Sequence, residues 1–528
     1  MKLAEAFRLT DVPCLALVGA GGKTTALFQI ARELTTPSSA LRPSFSSLHP
    51  CVLVTATTHL HANQIELADS HWIAKKPEDL ARLEDNLRGV VLVTGLLDGD
   101  RTKGVGKSSL CWLREVALNH NLPLLIEADG SRQKPLKAPE EHEPAIPEFI
   151  EMVVVVAGLS GLGKPLTEEC VQRPDIFARL SGLGTGDIIT PEAVIRVLTH
   201  PAGGLKNIPP QARRVALLNQ ADSAELQSLA GRIAGELLPH YGAVIIASLQ
   251  PQALAPRSPA LACPGGQARA QVQAGREPAG ARRPTAHLPR RCSPGQVPGS
   301  ASVNTNEHGL VYSVHEKTAG IILAAGASER LGQPKQLLDW RGQPFIRAVA
   351  QTALAADLFP IIVVTGSRAE EVEAAIRDLP VTITRNRDWQ SGQSSSIRAG
   401  LIAMPPPSLR DTSPISGIRN GGGREGVGAA IFLLVDQPLV TPSVLRALVE
   451  RHSLDLSPIV APQVQGQRAN PVLFDRVTFP DLLALTGDMG GRGIFSKHPV
   501  TTLPWHDESL LLDVDTPEDY KKLEGWGS

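Results

Sequence analysis

The side chains best suited to chemistry are a basic, small-residue turn and two acidic motifs in the last two-fifths of the chain. AGIILAAGASERLGQPKQ runs from an apolar stretch into Leu323, Ala324, Ala325 and Gly326, then Ser328, Arg330 and Lys335. Small residues let backbone approach a triphosphate closely, and the two cations neutralise it. FLLVDQPLV and LLDVDTPEDY set Asp436 and Asp515 at the ends of apolar runs, where a carboxylate pair suits Mg2+. Aspartates that merely form turns before proline-rich loops have the same appearance. Nucleotidyl transfer needs a gripped α-phosphate and a neutralised pyrophosphate leaving group. A phosphate nucleophile is already an anion at neutral pH, so no general base is required. No His or Cys in this region stands out as a nucleophile.

A second site lies near the start. CLALVGAGGKTTALFQIARE reads as a buried strand, a glycine turn and a helix. Gly19, Gly21 and Gly22 can turn backbone N–H groups inward as an anion nest, Lys23 can reach the β/γ-phosphates, the Thr24 hydroxyl can sit on Mg2+, and Thr25 follows it at the nucleotide. Leu17 stands where the full phosphate-loop consensus has glycine. The stretch therefore fits a variant loop for ATP or GTP, and also a strand–helix turn that binds nothing. Glu127 and Asp129 in LPLLIEADGSRQKPLKAP suit a metal at a strand end, or a plain Asp-Gly turn. Asn219 and Asp222 in LNQAD partly match a base-reading turn. TKGVGKSSL, with Lys107, and AGLSGLGKPL are read as loops: the first follows a polar run, and Pro165 in the second replaces the metal-binding hydroxyl.

These residues need strand ends to hold them. Both halves alternate short apolar runs with amphipathic stretches, the pattern of α/β layers around a mainly parallel sheet. Strands are expected at CLALVGA, CVLVTAT, VVLVTG, LPLLIEAD, MVVVVAG, RRVALLN and AVIIAS, then at AGIILAAG, PIIVVTG, VTITRN, AAIFLLVD and PIVAP. Between them, residues 251–300 hold nine prolines, seven arginines and one acid, with no Ile or Phe. Such a stretch buries too little apolar surface to offset the entropy of ordering, so 251–305 is expected to be a disordered linker. Residues 405–428 are expected to be an inserted loop. The expected domains are thus 1–250 and 306–528.

With 52 basic and 53 acidic side chains among 528 residues, the net charge of -1 gives no general pull toward nucleic acid or membrane. The six cysteines, Cys14, Cys51, Cys111, Cys170, Cys263 and Cys292, show no metal-ligand spacing and suit a reducing compartment. The start lacks an apolar signal core, and no run approaches the ~20 apolar residues of a membrane span. A cytoplasmic protein is expected.

The ordered set L-A-A-G-x-S-x-R-x-G-x-P-K-Q resembles the molybdenum cofactor cytidylyltransferases (MocA-like enzymes). Four later segments carry the likeness: Asn386, Trp389, Gly392, Ser394, Ser395 and Ser396 in NRDWQSGQSSS; Asp436 in DQP; Asn470 and Pro471 in GQRANPV; and Asp513, Asp515, Thr516 and Pro517 in DVDTPEDY. Ala469 departs from the usual glycine, and Leu331 from the usual methionine. The resemblance implies a Rossmann-like nucleotidyltransferase fold, Mg2+ on Asp436 and Asp515, and CMP transfer from CTP to molybdopterin. It also implies a nucleotide-side loop (Leu323 to Ser328, with Gly392 and Ser394 to Ser396) and a cofactor side (Asn386, Trp389, Asn470, Pro471). The three serines suit base, ribose or pterin equally. In this group A-A-G accompanies cytidylyl transfer and A-G-G guanylyl transfer, so Ala325 points to CTP. Residues 1–250, through VGAGGKTT, TATTH, IEADGSRQKPLKAP and LNQAD, resemble the selenium-dependent hydroxylase accessory proteins (the YqeC family). That implies a P-loop-like nucleotide-binding body, with molybdenum hydroxylases as clients; His59 and His61 suit a site or plain surface. The expectation is therefore two three-layer α/β/α domains joined by a linker. Its rivals are a guanylyltransferase, an isoprenoid cytidylyltransferase, and a non-catalytic cofactor escort.

Overall fold

The computed structural model describes residues 1–9, 12–35, 49–250, 310–328, 331–404 and 426–525. Arg330, the expected 251–305 linker and most of the expected 405–428 loop lie outside the described residues. The N-terminal body is built on β1 (Cys14–Gly19), β2 (Cys51–Ala56), β3 (Ser70–Ile73), β4 (Gly89–Thr94), β5 (Leu124–Glu127), β6 (Met152–Gly158), β7 (Arg213–Asn219), β8 (Ala243–Ser248) and β9 (Leu310–Glu316). They form a nine-stranded sheet in the order β9-β8-β7-β6-β1-β5-β2-β4-β3. Every pairing is parallel except that of β9 on β8. The period-two alternation of β1 divides its side chains between two cores: Leu15 and Leu17 face one, Ala16 and Val18 the other. Helix α1 (Leu3–Ala6) and helix α2 (Lys23–Thr35) pack on the first face; helix α3 (Lys107–Asn119) packs on the second.

The C-terminal body uses β10 (Thr318–Ala324), β11 (Ile361–Thr365), β12 (Thr382–Arg385), β13 (Ala429–Leu434), β14 (Ile459–Val464), β15 (Gln467–Arg468), β16 (Val472–Asp475) and β17 (Val500–Pro504). The order is β12-β11-β10-β13-β16-β14-β15, with β17 against β14. The first four are parallel, while β16 runs antiparallel to both β13 and β14, so the sheet is mixed. Apolar clusters again cover both faces: α4 (Phe345–Ala355) and α6 (Pro442–Asp455) lie on one, α5 (Gln393–Ala403) on the other. Helix α7 (Pro517–Gly525) closes the described chain.

All the strands expected from the sequence form, but β9 was not among them, and its place corrects the expected boundary. Ser248 pairs with Leu310 and Ala243 with Glu316, so residues 249–309 connect two neighbouring strands of one sheet. The bodies meet at Lys317, between β9 and β10, rather than across a long tether. Side chains from both bodies also meet there. Arg8, just past α1, donates to Glu316 at 2.7 Å and to both oxygens of Asp475 at 3.0 and 2.6 Å. Arg213 adds a contact to Glu316 at 3.1 Å, and His452 Nε2 lies 2.7 Å from Asp475 Oδ2. Asp475 is fully buried. Burial alone would raise its carboxyl, but Arg8 and then His452 hold it far below the usual range. Burial pulls the neighbouring Arg476 guanidinium down to about 10. Leu456, at the end of α6, packs into the N-terminal core.

Candidate active site

In the C-terminal body, β10 delivers Leu323 and Ala324 to the carboxyl edge of the sheet, where open α/β sheets bind ligands. The chain then turns through Ala325, Gly326 and Ser328. Gln336, buried on the short turn Lys335–Leu337, staples that loop: its Nε2 donates to Ala324 O at 3.1 Å and to Gly326 O at 2.7 Å. Lys335 N donates to Ser328 Oγ at 3.1 Å. Next to β10, β13 ends two residues before Asp436, and the backbone ties Val514 N to Asp436 O at 3.1 Å. The D-x-D-T-P segment is thereby drawn alongside the D-Q-P segment.

The Lys335 ammonium donates to Asp436 Oδ2 and lies 3.1 Å from Asp515 Oδ1. Three residues separated by 101 and 180 positions in sequence therefore converge on one point. Burial works against the charged ammonium, but Asp436 and then Asp515 more than offset it, holding the Lys335 pKa above its ordinary value. Asp436 Oδ1 is buried and finds no hydrogen-bond donor among the described residues; the side-chain oxygens of Gln336 and Gln437 share that condition. A buried carboxylate oxygen without a donor fits a divalent cation. Among the described residues no group of three or more His, Cys, Asp or Glu side chains is placed to hold a metal. Mg2+ needs fewer, because one or two carboxylates suffice when phosphate oxygens and waters complete its octahedron.

The serines expected at the ligand are turned to internal work. Ser394 Oγ donates to Gly487 O at 2.6 Å and Ser395 Oγ to Gly392 O at 2.8 Å. Asn386 Nδ2 donates to Ser395 and Ser396 at 2.7 and 3.0 Å. All three serines are buried. They clamp the Asn386–Gly392 turn, which carries Trp389, to the Gly487–Asp488 turn. Asn470 and Pro471 precede β16, joined by a cis peptide bond. Three residues of this site had been given no role: Gln336, Gly366 and Asp513. Gln437 Nε2 donates to Asp513 Oδ1 at 2.5 Å. A Cβ on Gly366 would come within 2.8 Å of the Ala325 methyl and 2.9 Å of Trp389 Cβ, so only glycine lets the Ala324–Ser328 loop and the Trp389 turn meet. The D-x-D repeat signalled Asp513; nothing local signalled Gly366.

The N-terminal body holds a second cluster at the carboxyl edge of its sheet. β1 enters a loop in which Gly21 has φ +84, and a Cβ there would lie 2.4 Å from Gly158 Cα. Lys23 Nζ donates to Gly19 O at 2.7 Å and lies 3.2 Å from Asp129 and 3.8 Å from Glu127. Thr24 Oγ1 donates to Glu127 at 2.7 Å, and Gly19 N to Asp129 at 3.0 Å. Burial pushes the Glu127 carboxyl up, against the pull of Lys23. Thr25 sits in the first turn of α2, next in line. Asn219 Nδ2 donates to Gly21 O at 2.7 Å and its Oδ1 accepts from Leu249 N at 2.9 Å, so it props the loop; Asp222 accepts from Ser248. Lys107 is exposed at the start of α3, and His61 faces Asp100 at 3.2 Å.

Residues 320–502 match the MobA-like NTP transferase domain model, and residues 15–175 match the YqeC protein model. Among curated proteins, the chain is 33% identical over 215 residues to the uncharacterized protein YqeC of Escherichia coli strain K12, covering 40% of this chain and 77% of that one. It is 30% identical over 214 residues to nicotine blue oxidoreductase of Paenarthrobacter nicotinovorans, covering 39% of this chain and 95% of that one. It is 24% identical over 201 residues to the molybdenum cofactor cytidylyltransferase of Escherichia coli strain K12, covering 38% of this chain and 92% of that one. No described helix is long and apolar enough to cross a membrane. The chain belongs to the YqeC family through its N-terminal body, and its C-terminal body carries a MobA-like NTP transferase domain.

Proposed function

We propose that the C-terminal body transfers CMP from CTP to a molybdopterin-type cofactor, releasing pyrophosphate, and that the N-terminal body is a nucleotide-binding accessory in the maturation of molybdenum hydroxylases. The observation that carries the reading is the convergence of Lys335, Asp436 and Asp515 beside the Ala324–Ser328 loop. The nucleophile is a terminal phosphate oxygen of the cofactor. It forms a bond to the α-phosphorus of CTP as the bond to the β-phosphate oxygen breaks, and the electron pair leaves with pyrophosphate. Lys335 and Arg330 neutralise the triphosphate, and the Gln336-stapled loop orients it. Asp436 and Asp515 would hold Mg2+, which when bound supplies charge neutralisation at the α-phosphate and the leaving group. In the enzymes this body resembles, A-A-G accompanies cytidylyl transfer, so Ala325 supports CTP by about 1 kcal/mol or a little more, a preference rather than an exclusion. In the N-terminal body, Lys23, Thr24, Glu127 and Asp129 are the residues for the phosphates and metal of ATP or GTP.

The test is pyrophosphate release with CTP, GTP and ATP, each with and without molybdenum cofactor. Release that needs both CTP and cofactor is expected. Release with GTP or with methylerythritol phosphate would transfer the reading to a sister enzyme. The likeness to nicotine blue oxidoreductase gives an oxidoreductase reading a definite form. Substrate reduction with no pyrophosphate under any of these conditions would replace the transferase reading with it.

A further inference from the structure

The point on which Asp436 and Asp515 converge is already filled by a cation, the Lys335 ammonium. We propose that Lys335 is an internal stand-in for the divalent metal: it blocks the aspartate pair to bare metal until a triphosphate draws it away, so that metal and nucleotide enter together. This deepens the nucleotidyl-transfer reading and rests on it.

Lys335, with three donors and no acceptor, sits on one oxygen of each carboxylate, Asp436 Oδ2 and Asp515 Oδ1. Its charge stands at the point where a metal bridging the pair would lie, and two cations on one pair repel, so a bare divalent ion binds there weakly while the ammonium stays. Among the described residues Lys335 makes no other ion pair, and its side chain is only 19% exposed; Asp513, a further carboxylate that feels its charge, is already engaged by Gln437. A triphosphate reverses this balance. Its oxygens give the ammonium a new partner, and it brings its own metal to the vacated carboxylates.

The two aspartates are suited to different parts of the exchange. Asp515 is 50% exposed and lies further from the ammonium, so water can take over its charge as Lys335 leaves. Asp436 is nearly buried, and its Oδ1 has no donor among the described residues, which keeps one oxygen ready for the incoming ion. The lysine is also wired to the loop that meets the nucleotide. Its backbone N–H holds Ser328 Oγ, and the next residue, Gln336, grips Ala324 and Gly326. Displacement of that loop by a triphosphate therefore moves the stem of Lys335. Linkage requires that nucleotide tighten metal binding by the same factor as metal tightens nucleotide binding.

Mn2+ uptake by the full chain, followed by loss of the free-ion electron paramagnetic resonance signal, tests this. Uptake is measured with and without the uncleavable α,β-methylene analogues of CTP and GTP. The D436N variant identifies the part of the signal that belongs to this site rather than to the N-terminal body. In the parent, the Asp436-dependent site is expected to fill at least tenfold more tightly with analogue than without. In K335M it is expected to fill with Mn2+ alone at least tenfold more tightly than in the parent, and the K335M/D436N double variant should lose it. K335Q, which keeps a polar side chain, serves as a second variant should K335M misfold by circular dichroism. Unchanged or weaker Mn2+ affinity in these variants, or parent uptake indifferent to analogue, overturns the stand-in and leaves the transferase reading in place. Failure of both analogues to bring any Asp436-dependent Mn2+ to the parent overturns both.

Discussion

Asp436 accepts from Lys335 on one oxygen and leaves the other without a donor among the described residues, an arrangement that is costly in a folded protein unless something else is bound there. Replacing Asp436 with Ala is expected to lower pyrophosphate release by about a thousandfold, the scale of losing one preorganised electrostatic group. Circular dichroism and the unfolding temperature should stay near the parent, because the change also removes an orphaned acceptor. Near-parent turnover would rule out its role. Lys23 poses the matching question for the other body. Its ammonium is buried against Gly19 O, Asp129 and Glu127, whereas Lys107 stands exposed at the start of α3. Binding of a fluorescent ATP or GTP analogue is therefore expected to fall at least tenfold in Lys23→Met and to be unchanged in Lys107→Met. Loss only in the second variant would move the phosphate site to the 102–110 stretch.

At the scale of elements, what could be read in advance follows from how local the signal is. β1, β10 and β13 are apolar runs that end in a motif, so strand, turn and functional side chain lie within a few residues of one another. Lys23, Lys335 and Asp436 were legible for that reason; Asp515 was legible through its D-x-D-T-P motif, although a short turn, Glu508–Leu511, and not the expected strand end precedes it. Ser394 to Ser396 were legible as a cluster but not in their use. A hydroxyl that faces a ligand and one that clamps a turn have the same sequence, and only the Asn386 and Gly487 contacts separate them. Asn219 likewise matched a base-reading pattern yet holds Gly21 O. β9 carried almost no signal. Its polar end, His315 and Glu316, can sit in a sheet because Ser313 meets the imidazole and Arg8 and Arg213 meet the carboxylate. Those arginines come from 308 and 103 residues away, and no periodicity reports such a pairing.

Among the described residues that seam ties the two bodies together, and it makes two measurable claims. Arg8→Met leaves Asp475 and Glu316 buried without their main cation and is expected to lower unfolding free energy by about 3–5 kcal/mol. The sign of its pH dependence follows from Asp475, whose folded-state pKa lies well below its unfolded value of about 3.9. The parent's advantage over the variant should be flat from pH 8 to 5. Below about pH 4 it should shrink, as the unfolded chain takes up a proton that the folded parent refuses. Denaturant unfolding across that range checks it. The second claim concerns residues 253–307. Since Ser248 pairs with Leu310 on the neighbouring antiparallel strand, the ends of that long excursion are already side by side. It connects two strands of one sheet and does not connect the two bodies. Replacing 253–307 with a short glycine-containing turn shortens a loop that the sheet has already closed. Loop entropy grows only as about (3/2)RT ln n, so the replacement should be neutral or stabilising by roughly 1–2 kcal/mol. A tether between independent domains would respond differently, losing coupling as its reach fell. Pyrophosphate release, analogue binding at Lys23 and the unfolding temperature should all match or exceed the parent. A fall in any of them would mean that the excursion takes part in one of the two sites.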